Sequence, residues 1–410
     1  MKTNIFLLLI ITFVLASCSP KSYLPADTSG GTLFQDLQYL SSDELKGRET
    51  GTTGEDLAAE HIASRFSDLG LSPKGTKEYY QRFTGYESND PHGSDMAGQK
   101  TPVNGKNVVG FIDHGAQNTV VIGAHYDHLG MGTFGSLYQG PAEIHNGADD
   151  NASGVAVMIW LAEKLISKKF DDNNYLFIAF SGEEKGLWGS NYWTKNPTYP
   201  LEQINYMINM DMVGRLENNR LAINGVGTSP EWTVLDDVNK KFELVKSESG
   251  IGPSDHSSFY LSDIPSIHFF TGQHEDYHKP SDDIEKVNIQ GCYEIGNYIL
   301  QVIDELDDKK ITFTKTKDES KNSREFKVTL GVIPDYMFQG TGMRIDGVKD
   351  GRTASNAGIQ QGDVVIKMGD LEVADMMGYM KALGAFEKGQ TIPVIINRDG
   401  KEMSVSVTFN

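Results

Sequence analysis

The sequence predicts an α/β sandwich on a largely parallel sheet, followed by a small strand-rich domain. Three observations predict it. Between about residues 32 and 306, short runs of Val, Ile and Phe alternate with stretches whose apolar residues recur every three or four positions. A polar, Lys-bearing stretch at 311–323 then breaks the pattern and reads as a linker. Beyond it the charge changes: residues 326–410 hold 9 basic and 10 acidic side chains, leaving 28 against 46 upstream. A length of 410 residues fits two domains better than one.

Taken in order, Lys2 precedes an apolar run at 5–16, broken only by Thr12. Twelve residues is too short to span a bilayer and has the proportions of a signal-peptide core. The run ends in Leu15-Ala16-Ser17-Cys18, which resembles the lipobox of bacterial lipoproteins. That resemblance implies a signal peptide at 1–17, lipidation of Cys18, a tether at 18–29 and a place in the cell envelope, with the lipid as the sole membrane attachment.

The first domain is expected over 30–312. Strands are expected at 107–112, 119–124, 175–180, 206–210, 221–224 and 265–270, apolar enough to be buried on both faces. Helices are expected at 53–69, 152–167 and 288–306; in the first, Leu57, Ala58, His61, Ile62, Arg65, Phe66 and Leu69 share one stripe. Residues 87–105 form a Gly/Asp/Ser-rich excursion. The linker is placed at 313–325 and the second domain at 326–410.

Composition narrows the chemistry. Hydrophobic residues at 39% and charged residues at 23% describe a folded globular chain. A net charge of −19 repels phosphate backbones, so nucleic acid is excluded as an expected partner. Cys18 and Cys292 cannot build a disulfide framework or a thiolate zinc site, so any metal must be held by His, Asp and Glu. With Cys18 lipidated, Cys292 is left as a lone buried thiol.

Metal-ligand side chains gather where strands give way to loops. Gly123-Ala124-His125-Tyr126-Asp127 puts His125 at the end of an apolar run, with Asp127 two residues on, where period-two geometry sets a carboxylate beside the imidazole. Asp149-Asp150 stands at a helix start, a pairing that is costly without a cation. Glu183-Glu184 follows the 175–180 strand, Asp211 follows 206–210, and Asp276-Tyr277-His278 comes after 265–270. Singly, each is an ordinary polar residue or cap; together, they point to a metal site at the strand ends. His128 and His145 flank a Gly-rich loop and read as solvated histidines at a cleft mouth. Asp282 is expected to orient a neighbour or to cap a helix beginning at Ser281.

The stretches GAHYDH (123–128), NGADDNASG (146–154), FSGEEKGLWGS (180–190), INMDMVG (208–214), GPSDHSSF (252–259) and YHKPSDD (277–283) resemble, in order, those of the M28 zinc metallopeptidases. The resemblance covers about residues 30–310. It implies a three-layer α/β/α, zinc-exopeptidase-like fold and two zinc ions per chain, one on His125, Asp149 and Asp211, the other on Asp149, Glu184 and His278. Asp149 would bridge, and Asp149–Asp150 would be the site of a cis peptide. Glu183 would be the general base acting on a water that bridges the metals, Tyr277 an oxyanion donor, Asp127 a support for His125, and Asp255 and His256 pocket residues outside the metal set.

The activity implied is exopeptidase, foremost aminopeptidase, on peptide substrates. Glutaminyl cyclase shares the fold but keeps a single zinc and lacks the first His ligand, which here is His125. Carboxypeptidases, N-acyl hydrolases and non-catalytic peptide-binding relatives are the remaining alternatives.

In the second domain, Leu330-Gly331-Val332-Ile333 resembles the carboxylate-binding loop of PDZ domains. Residues 342–345, 348–351, 354–359 and 361–365 match the PDZ core of bacterial secreted proteases, with a groove helix expected at 375–386. The resemblance implies capture of a peptide C-terminus or a protein partner by strand addition.

Overall fold

The computed structural model describes residues 31–88, 100–132, 135–316, 328–334, 338, 340–348, 351–374 and 376–409. The expected signal peptide, tether and Cys18 lie outside these residues, as do most of the 87–105 excursion and of the 313–325 linker.

The first domain runs α1 (Thr32–Leu40), α2 (Thr53–Asp68), β1 (Ser72–Pro73), β2 (Tyr80–Ser88), β3 (Lys100–Ile112), β4 (Asn118–His125), α3 (Gly154–Leu165), β5 (Asn173–Phe180), α4 (Trp188–Lys195) and β6 (Ile204–Met210). It continues with β7 (Arg220–Asn224), α5 (Val234–Val238), β8 (Glu243–Ser247), α6 (His256–Tyr260), β9 (Ser266–Phe270) and α7 (Ile289–Leu306). The strands form one sheet in the order β1-β3-β5-β4-β6-β9-β7-β8, with β2 also on β3. The sheet is mixed. Its centre, β5-β4-β6-β9, is parallel throughout, whereas β3 and β7 join it antiparallel.

The central strands are buried on both faces, as their unbroken apolar runs require. Alternate residues serve two cores. Val120, Ile122, Tyr175, Phe177, Tyr206, Ile208, Ile267 and Phe269 pack against residues of α1, α2, α3, α5 and α7. Val121, Leu176, Ile178, Phe180 and Met207 pack against Trp193 of α4 and Phe259 of α6. Two helical layers thus sandwich the sheet.

The strands at 80–88 and 243–247 were not expected. β2 alternates buried and exposed residues along the polar run Tyr80-Gln81-Arg82-Phe83-Thr84, and takes its register from pairing with β3.

The second domain has its own core, centred on Leu330, Ile345, Val365, Met368, Val394, Ile396 and Val407. Its sheet, β10 (Val332–Pro334), β11 (Met343–Val348), β12 (Val364–Met368), β14 (Thr391–Arg398) and β15 (Lys401–Thr408), has the order β10-β11-β12-β14-β15, with β13 (Leu371–Glu372) on β12. Two helices, α8 (Thr353–Asn356) and α9 (Met376–Leu383), complete it. The expected groove helix begins among residues not described and ends at Leu383 rather than 386. Leu330 is buried, Gly331 has φ +70° beside Arg352, and β10 pairs with β11 along one edge.

Candidate metal centre

Every metal-ligand candidate lies at the C-terminal edge of the four parallel strands. His125 is the last residue of β4, Glu183 and Glu184 follow β5, Asp211 follows β6, and His278 lies in the loop after β9. Parallel register aligns these ends: His125 sits opposite Phe180, and Asn209 opposite His268.

The side chains converge on two clusters that share one carboxylate, Asp150. His125 Nε2 lies 3.3 Å from Asp150 Oδ1 and 3.2 Å from Asp211 Oδ1. His278 Nε2 lies 3.3 Å from Asp150 Oδ2 and 3.2 Å from Glu184 Oε2. Zinc held at about 2.0–2.2 Å by nitrogen and oxygen ligands in a tetrahedron sets neighbouring ligand atoms about 3.3–3.5 Å apart. The four separations match the edges of two such tetrahedra meeting at one carboxylate. Nitrogen and oxygen donors without thiolate suit zinc.

The shared carboxylate is thus the second acid of the pair, not Asp149 as the sequence reading had it. Asp149 turns away: Oδ1 accepts from Gly214 N (2.6 Å) and Ser153 Oγ (3.1 Å), and Oδ2 from His274 Nε2 (3.1 Å). The choice is made beneath the site, where buried Asp282 accepts the N–H groups of both Asp149 and Asp150 at 3.0 Å and fixes the backbone between them. The cis peptide also falls one position later, at Asp150–Asn151. Asp282 therefore orients a neighbour and pairs with Arg215 (3.1 Å); no helix begins at Ser281.

Asp127 also differs from expectation. β4 ends at His125, so period two no longer applies, and His125 Nδ1 meets the Asp127 carbonyl (3.2 Å) rather than its carboxylate (3.8 Å). The carboxylate instead accepts from Glu183 N (3.1 Å) and Thr50 Oγ1 (3.0 Å), which ties the β4 and β5 loops together.

His128 and His145, expected in solvent, are each 1% exposed, and residues 135–137 fold back on His278. His278 Nδ1 donates to Gly135 O (2.9 Å), Leu137 N donates to His278 O (3.0 Å), and Ser136 Oγ lies 2.7 Å from His145 Nε2. Tyr277 stacks on His278 with ring centroids 3.8 Å apart. Asp255 and His256 are fully buried outside both clusters, with His256 stacked on His268. Cys292 is buried.

Sequence reasoning missed Arg48. Its guanidinium is 1% exposed and clasps backbone carbonyls: Tyr126 O (2.8 Å), Asn146 O (2.6 Å), Gly147 O (3.0 Å) and Leu40 O. Burial lowers its pKa to about 10, against the nearby charge of Asp150 and Asp127. A lone Arg in a Lys-Gly-Arg-Glu turn carries no motif that announces this.

Electrostatics separate the carboxylates. Burial pushes Glu183 well above the usual range, with Asp211, Glu184 and Asp255 adding to the rise against His125. Burial acts the same way on Glu184, yet His278 and His128 hold it at about 2. Asp150 stays low because hydrogen bonds from His125 and His278 overcome its burial. Burial works against the charge of both imidazoles, but Asp211 and Glu183 raise His125, and Glu184 and Asp150 raise His278. An imidazole ligates a metal through its neutral form. Burial and the carboxylates of Asp150, Glu184, Glu183 and Asp211 raise the Tyr277 hydroxyl, which therefore stays a donor.

This donor set agrees with the comparison to known families, in which the peptidase family M28 profile matches residues 107–303. A PDZ domain profile matches 309–409, over the second sheet. Aminopeptidase YwaD of Bacillus subtilis is 28% identical to the chain over 223 residues, which cover 51% of this chain and 46% of that protein. The aligned part thus spans about half of that relative's length.

Solved structures share the fold of the first domain. A zinc aminopeptidase from Bacillus subtilis superposes with TM-score 0.54 at 20% identity, covering 72% of this chain and 97% of that one. Glutaminyl cyclase of Bacteroides thetaiotaomicron superposes with TM-score 0.53 at 18% identity, covering 68% and 97%.

Proposed function

We propose that this chain is a zinc-dependent exopeptidase, foremost an aminopeptidase, using two zinc ions per chain. One observation carries the proposal: two imidazole–carboxylate clusters share Asp150 with zinc-like spacings, and Glu183 stands beside them without belonging to either. His125, Asp150 and Asp211 would hold one ion, and His278, Asp150 and Glu184 the other. Bound zinc supplies Lewis acidity toward a carbonyl oxygen and lowers the pKa of water.

The chain's own residues do the rest. Glu183, fixed through its N–H to Asp127, takes a proton from the attacking water and returns it to the leaving amine. Tyr277, held against His278, donates to the developing oxyanion. His125 as a first-cluster ligand favours hydrolysis over the single-zinc cyclase reaction. The leader at 1–17 and Cys18 support a lipid-anchored protein of the cell envelope. The PDZ domain would hold a peptide C-terminus or a partner protein along β10.

The test is a panel of aminoacyl-coumarin amides run beside N-blocked dipeptides and N-terminal glutaminyl peptides. Cleavage of free-amine substrates is expected. Glu183→Gln should keep its zinc while turnover falls about 10²- to 10⁴-fold. Unchanged turnover would remove Glu183 from the chemistry. One zinc per chain with cyclisation and no hydrolysis would replace the peptidase reading by the cyclase one.

A further inference from the structure

His128 is a second imidazole at the His278 cluster. Its Nδ1 lies 2.8 Å from Glu184 Oε1 and 3.9 Å from Asp150 Oδ2. These atoms could be read as a ligand triad of their own, with His128 on the metal. The distances decide against it. Two ligands of one zinc sit about 3.3 Å or more apart, whereas 2.8 Å is the length of a charge-assisted N–H···O bond. The carboxylate can only accept, so Nδ1 carries the hydrogen.

The two Glu184 oxygens thus have different partners. Oε1 faces His128, and Oε2 faces His278 at 3.2 Å, the separation of co-ligands. The His128 ring is hemmed in on two sides. Gly147, at φ +54°, lies so close that a Cβ there would sit 2.5 Å from His128 Cδ2, and the His278 ring stands edge-on at 5.8 Å. The main chain of His128 is itself anchored, since His128 N donates to Arg48 O (3.2 Å).

We propose that His128 is the positioning residue of the second metal: its Nδ1–H occupies Glu184 Oε1, so that Glu184 presents Oε2 alone. This rests on the peptidase reading above. A monodentate Glu184 keeps the site four-coordinate and leaves a position open for substrate. Without the donor, Oε1 is free to turn onto the metal or away from it, and the carboxylate loses its fixed aim.

The experiment isolates each cluster. A His125→Ala background leaves the His278 cluster, and a His278→Ala background leaves the His125 cluster; zinc affinity is measured in each by competition with a chelator, and cobalt spectra are recorded. In the first background, His128→Leu should weaken zinc about 10- to 100-fold and reduce the cobalt d–d band as coordination rises. His128→Asn, whose amide N–H falls near the Nδ1 position, should restore most of both. In the second background neither variant should matter.

Unchanged affinity and spectrum in His128→Leu would overturn the proposal. Equal weakening of both clusters would reduce His128 to packing. Loss of metal from the His278 cluster in Leu and Asn alike would make it a ligand. A parent protein that takes up no zinc at either cluster would instead sink the peptidase reading.

Discussion

Asp149 and Asp150 are adjacent, equally acidic and both buried, yet the structure gives them opposite jobs, and substitution separates them. Asp150→Ala removes the oxygens that stand 3.3 Å from His125 and from His278. On the proposed assignment each metal would keep two of its three protein ligands, so zinc retained after dialysis should fall from the parent's proposed two to below one per chain. Asp149→Asn touches neither cluster. It keeps an acceptor for Gly214 N and Ser153 Oγ but loses the carboxylate that faces His274 Nε2 at 3.1 Å. A hydrogen bond to a charged group contributes about 1.5–3 kcal/mol. In a domain of this size that lowers Tm by about 3–12 °C. Metal analysis and thermal unfolding, run on both variants, read the two effects independently. An Asp150→Ala protein that holds two zinc ions while Asp149→Asn loses them would refute the assignment.

Two further outcomes test the scaffold. Arg48→Met should lower the unfolding free energy by at least about 3 kcal/mol, because it strands carbonyls of Leu40, Tyr126, Asn146 and Gly147 together. Arg48→Lys should not rescue it, since one ammonium lacks the guanidinium fork; a loss under about 1 kcal/mol in denaturant titration would contradict the clasp. The Cys292 thiol is fully buried, and burial, then Asp149, pushes its pKa far above the ordinary value. It should resist a thiol-reactive dye in the native protein even at pH 9 and react promptly in denaturant; fast native labelling would contradict its burial.

The central strands were readable because parallel strands between two helical layers must be apolar on both faces, which Val120–Ala124 and Tyr175–Phe180 are. Strand ends were equally readable as the place for His125, Glu184, Asp211 and His278. What sequence spacing could not resolve is which way neighbouring carboxylates point. What turns Asp149 and Asp150 apart comes from residues distant in sequence, Gly214 and His274 on the Asp149 carboxylate and Asp282 on the backbone of both, and from the turn that follows Gly147. His128 and His145 sit in a Gly-rich stretch that looks solvated until the loop folds back on His278. Asp127 misled because a two-residue period holds only while a strand continues, and β4 stops at His125. β2 carries few apolar side chains and owes its existence to β3.

The carbonyls gripped by Arg48, the amides gripped by Asp282 and the turn gripped by Asp127 have a joint consequence. Arg48 bridges the segments that follow His125 and precede Asp150, Asp282 joins the His278 segment to Asp149 and Asp150, and Asp127 joins the His125 segment to Glu183. These bonds hold the ligand-bearing loops in place through protein groups alone. Binding energy that a floppy site would spend on ordering its loops goes here into holding the ions. A site held this way asks little reordering of its loops when a metal enters, while a bound metal still adds its binding free energy to the stability of the native fold.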